Sequence, residues 1–88
     1  PSTFHLEQNY PNLFNFSTTL NYYLRIPQAV KLDVFSSAGD KVATLVNAFQ
    51  ETGSYDVLFD ASRFSSGVYF ARLDTGAVSK TIKMMLIK

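Results

Sequence analysis

Apolar and polar residues alternate with a period of two along most of this chain, which is the pattern of half-buried antiparallel strands. Over Thr18–Ile26, the residues Leu20, Tyr22, Leu24 and Ile26 fall on one face and Asn21, Tyr23 and Arg25 on the other. Val30–Phe35 repeats the pattern, and Ser36–Asp40 then predicts a hairpin turn in which Gly39 supplies positive φ. Lys41–Asn47 returns as the partner strand, with its alternation broken near Ala43-Thr44 where a bulge or strand end fits. Gly53–Asp60, Val68–Asp74 and Val78–Ile87 complete the series, with a short run at Phe4–Gln8 before it. Asp60–Phe64 suggests one helical turn capped by Asp60, with Phe64 plugging the core.

About seven strands with turns every 8–12 residues predict an all-β, immunoglobulin-like antiparallel β-sandwich, with a closed barrel as the alternative. The inward faces nominate Leu6, Leu20, Tyr22, Leu24, Val30, Leu32, Val34, Val42, Leu45, Tyr55, Val57, Phe59, Tyr69, Leu73, Ile82, Met84 and Leu86 as core. Val68 and Phe70 compete with Tyr69 and Leu73 for the buried side, and both faces of the last strand are apolar toward its end. Both termini are expected at sheet edges. The bland reading of the last strand is an edge guarded by Lys80, Lys83 and Lys88; the functional one is a strand recognised by another protein.

Between the first two strands lies Asn9-Tyr10-Pro11-Asn12-Leu13-Phe14-Asn15-Phe16, a cluster of Asn, Pro and aromatics. Such residues favour turn backbone, and the aromatics point to a loop packed on the core. Tyr10, Phe14, Phe16 and Tyr23 serve either as anchors for this loop, the favoured reading, or as a sugar-stacking platform.

Residues 1–88 are expected to form one domain, cut from a longer protein since no initiator Met is present. A hydrophobic content of 47% argues against disorder, and a net charge of +1 with scattered charges argues against nucleic acid. No apolar run approaches the ~20 residues of a membrane helix. The absence of Cys leaves the compartment open.

Chemistry is sparse. His5 is the only histidine and has no Cys companion, which is poor material for a metal site or a Ser-His-Asp triad. Asp56 and Asp60 are about 13 Å apart along an extended chain, beyond a glycosidase pair at about 5–9.5 Å. No catalytic residue, cofactor or metal is expected, and the chain is read as a non-enzymatic module.

The ordered blocks, however, resemble a family. Leu6–Asn12, Phe14-Asn15 and Ser17–Thr19 resemble the opening of the type A C-terminal sorting domains of the type IX (Por) secretion system. The likeness runs through Val34-Phe35, Gly39, Lys41-Val42, Leu45-Val46, Gly53–Tyr55, Asp60–Ser62, Ser66–Phe70 and Arg72-Leu73 to Thr81–Lys88. Leu13 and Phe16 stand where the family usually has prolines, and Ser36-Ser37-Ala38 replaces a hairpin commonly holding Asp. The resemblance implies an immunoglobulin-like sandwich that follows a cargo domain in cis. It also implies recognition by the outer-membrane translocon after passage through the periplasm of a Gram-negative bacterium. A sortase would then remove the domain, leaving the cargo secreted or attached to the cell surface. Carried over from the family, the recognition residues are Gly67, Tyr69, Arg72, Lys83 and Lys88. Deleting the last strand is expected to abolish export. Against this stands an accessory carbohydrate-binding or structural immunoglobulin-like module of a secreted hydrolase.

Overall fold

Alternation becomes architecture once each strand finds a neighbour for its backbone and a partner for its apolar face. The computed structural model describes residues 2–88. Eight strands form: β1 Phe4–Leu6, β2 Leu13–Phe14, β3 Ser17–Leu24, β4 Gln28–Ser36, β5 Lys41–Gln50, β6 Gly53–Asp60, β7 Gly67–Asp74 and β8 Ser79–Leu86. They make a three-stranded sheet, ordered β1-β3-β6, and a five-stranded sheet, ordered β2-β8-β7-β4-β5. Among the described residues there is no helix. Two sheets sharing one core are a β-sandwich, as the alternation predicts, and not a closed barrel.

The core between the sheets is built from Leu20, Tyr22 and Leu24 of β3, Val30, Leu32 and Val34 of β4, Tyr69 and Leu73 of β7, and Met84 and Leu86 of β8. Tyr69 and Leu73 thus take the inner face of β7, together with fully buried Ala71, while Val68 and Phe70 turn outward. Val42, Leu45, Tyr55, Val57 and Ile82 are only half-buried and pack on its margin. Phe4, Phe14 and Ala61 join the core although the pattern does not nominate them.

The Ser36–Asp40 hairpin forms as expected, with Gly39 at φ +93° and its N–H donating to the Ser36 carbonyl at 3.0 Å. The β4–β5 register slips twice, between Leu32/Asp33 and Val34/Phe35, so Leu45 and Val42 are the extra residues flanking the predicted break. Three readings need correction and one count is refined. Asp60–Phe64 is a turn closed by the Phe64 N–H on the Ala61 carbonyl at 3.0 Å, too short to become a helix. Strand pairing is not wholly antiparallel, because β2 runs parallel to β8. The strand count rises to eight through β2. Finally, β8 is an edge only in part: β2 lies outside it at Met85-Leu86 and leaves its first half without a strand neighbour.

Candidate functional site

The residues of interest converge on the hairpin of β7 and β8, which pair from Gly67↔Leu86 to Asp74↔Ser79. Gly67 opens β7 in the loop-to-strand transition at φ +154°; a Cβ there would meet no atom within 4 Å, so backbone, not space, demands glycine. Tyr69 faces inward, 6% exposed, and its hydroxyl donates to the Ser65 carbonyl at 2.7 Å. It anchors the hairpin and presents no surface to a partner. Lys88 is pinned at the other strand's end: its N–H donates to Ser66 Oγ at 2.9 Å and its Nζ to the Ser62 carbonyl at 2.7 Å. Beside it, the Ser62 N–H on Asp60 Oδ1, helped by Arg63 and Lys88, holds the Asp60 carboxyl below its ordinary range.

Arg72 and Lys83 are brought onto one surface, the solvent face of the five-stranded sheet. Cross-strand partners share a face, so the register lays out rows: Lys83, Phe70, Phe35 and Lys41 in one, Thr81, Arg72, Asp33 and Thr44 in the next. The Arg72 guanidinium lies over the Phe35 ring, 4.7 Å from its centroid. Asp33 is buried despite facing outward. It accepts from Thr44 Oγ1 at 2.7 Å, with Lys31 and Lys41 Nζ at 3.9 and 3.8 Å from its other oxygen.

The Asn/Pro loop is attached to this hairpin, a connection the pattern of residues does not disclose. Gln8 Nε2 donates to the Lys83 carbonyl at 2.7 Å and to Asn9 Oδ1 at 2.7 Å. Leu13 and Phe14 pair with Met85 and Leu86, and the Ile87 N–H donates to the Phe14 carbonyl at 2.9 Å. Buried Asn9 holds the loop's shape by donating to the Pro11 carbonyl at 2.9 Å and to Thr18 Oγ1 at 3.0 Å; Thr18 in turn donates to the Pro11 carbonyl at 2.8 Å. The Tyr10-Pro11 peptide is cis. A clasp results, in which the opening of the chain covers the outer edge of its last strand.

The four aromatics do not assemble into one platform. Phe14 is in the core, edge-on to Phe59 with ring centroids 6.1 Å apart. Tyr10, Phe16 and Tyr23 are exposed, but Phe16 sits in the turn between β2 and β3. Tyr10 lies beside Thr19, four residues or about 13 Å along β3 from Tyr23. Tyr23 borders a shallow open depression of about 250 Å³ with His5, Glu7, Asn21, Ser54 and Asp56. Four of the polar groups there pair off: His5 Nε2 is 2.6 Å from Glu7 Oε2, and Asn21 donates to Asp56.

Among the described residues no three His, Cys, Asp or Glu side chains gather as for a metal ion, and no helix is long and apolar enough to cross a membrane. No curated protein matches the sequence. A family model does, from Gln8 of the clasp to Lys88, the span that contains both the loop and the hairpin it holds. With residues 8–88 matched by the model of the secretion system C-terminal sorting domain, the chain belongs to that family, the sorting signals of type IX secretion.

Proposed function

We propose that this domain is read as a folded surface by the outer-membrane translocon of a Gram-negative bacterium, after its N-terminal cargo has reached the periplasm. A sortase then separates domain from cargo, which is released or attached to the cell surface. The domain itself performs no catalysis. The observation that carries this reading is the division of labour within the terminal hairpin: Arg72 and Lys83 share its solvent face, while Tyr69, Met84 and Leu86 are buried beneath them. A receptor that needs both cations in this register needs the sheet intact, because Arg72 and Lys83 are diagonal neighbours on two strands and share a face only while β7 and β8 stay paired.

The test is export of a fluorescent reporter carrying an export signal and residues 1–88, in a host with a working type IX system. Wild-type fusion is expected in the medium or at the cell surface, with reporter and domain separated by proteolysis. The Lys83→Glu fusion, with an unchanged melting temperature, is expected to remain in the periplasm. Equal export of a variant reversed at both Arg72 and Lys83, and shown to be folded, would exclude this surface as the recognised one.

A further inference from the structure

We propose that the solvent face of the five-stranded sheet docks an acidic segment of a protein partner that also carries apolar side chains. The proposal rests on the recognition role given above to Arg72 and Lys83 and extends it to the apolar rows beside them. A sheet with one face in water ordinarily presents polar residues there. The three-stranded sheet conforms over most of its face: the rows His5, Tyr23, Ser54 and Glu7, Asn21, Asp56 face solvent, and its exposed apolar side chains, Leu58 and Tyr10, flank the polar Thr19. The five-stranded sheet departs from it. Leu13, Met85 and Val68 form one outward row, and Phe70 and Phe35 fill the middle of the next. Leu13 and Met85 are exposed, and both lie where β2 meets β8. A patch of adjoining apolar rows rimmed by charge is the signature of an interaction surface, unlike a single exposed Leu.

Charge specifies the partner's sign. This face carries Lys31, Lys41, Arg72 and Lys83 against Asp33 and Asp74. Asp33 is buried and engaged by Thr44, Lys31 and Lys41, and Asp74 Oδ1 accepts the Gly76 N–H at 2.8 Å. Among the described residues, Arg72 and Lys83 have no carboxylate within 4.0 Å. A carboxylate presented between Arg72 and Lys83, with an aliphatic side chain over Val68 and Phe70, matches both deficits.

The probe is a synthetic Asp-Leu-Asp-Leu-Asp-Leu peptide titrated into the isotope-labelled chain, with its Lys-for-Asp counterpart as control and amide shifts as readout. The expected result is shifts confined to the rows of Lys83 and Arg72 and to Val68, with binding about tenfold weaker in Lys83→Glu. Spectral dispersion of the variant verifies its fold. No binding, equal binding of both peptides, or shifts on the three-stranded sheet overturns the proposal. So does tighter binding to phosphatidylglycerol vesicles, which assigns the face to lipid, or self-association abolished by Lys83→Glu, which assigns it to a second copy. Failure here with normal export of the wild-type reporter leaves the sorting reading intact. Peptide binding combined with full export of the folded variant reversed at both Arg72 and Lys83 removes the recognition role of this face and leaves the docking site.

Discussion

Phe14 and Tyr10 lie four residues apart in one loop, and the fold treats them oppositely. Phe14 is 2% exposed and edge-on to Phe59, whereas Tyr10 is 78% exposed and held only through its backbone bridge to Thr19. Removing a buried phenylalanine loses its transfer energy and leaves a cavity. Phe14→Ala should therefore cost about 3–5 kcal/mol in chemical denaturation. Tyr10→Ala, acting on exposed surface, should fall within about 0.5 kcal/mol. Similar losses for the two would mean that the loop is held by its backbone and not by its anchor. Asn9 works at the same scale, since its buried amide organises the turn through the Pro11 carbonyl and Thr18.

At the scale of elements, the clasp divides the outer edge of β8 in two. Backbone groups of alternate strand residues point to alternate edges. Ile87 bonds Phe14 and Lys83 bonds Gln8, so Lys83, Met85 and Ile87 face the clasp, while Ser79 and Thr81 face an edge that β2 does not reach. Native-state hydrogen exchange should protect the Ile87 amide and leave that of Thr81 fast. Gln8→Ala removes a bond of about 1 kcal/mol and should speed Ile87 about fivefold without moving Thr81. A Thr81 amide as slow as Ile87 would show that the edge is covered elsewhere. The long strands were legible because alternation over eight or nine residues marks a face, as Leu20-Tyr22-Leu24 does in β3. Two residues of β2 carry no period, and the Gln8–Lys83 bond spans 75 positions, so neither the clasp nor its parallel pairing has a local signal. Tyr69 was nominated for the core, but also as a recognition residue on family grounds; its burial supports only the former role as a direct contact. That Arg72 and Lys83 share a surface depends on the β7–β8 register, which neither strand's own alternation specifies.

The whole molecule determines which experiments can separate sorting from folding. Removing Lys83–Lys88 takes Met84 and Leu86, both essentially fully buried, and strips β2 of its only strand partner. Each core side chain is worth about 2–5 kcal/mol, and the entire stability of a domain this size is about 4–13 kcal/mol. Truncation thus consumes much or all of the folding free energy, and lost export in the truncated chain would report an unfolded domain as readily as a missing contact. Lys83 stands outside this accounting: its side chain is exposed on the sheet face, and only its carbonyl is engaged, by Gln8. Circular dichroism melts should show no cooperative transition for the chain lacking 83–88. Lys83→Ala should remain within about 0.5 kcal/mol of wild type. A cooperative melt of the truncated chain near the wild-type temperature would mean that β8 adds little to the core, and export of that truncated chain would then test the strand's role directly. Loss of the melt means that β8 closes the core, so that only point changes on its solvent face, such as those at Lys83, can separate export from folding.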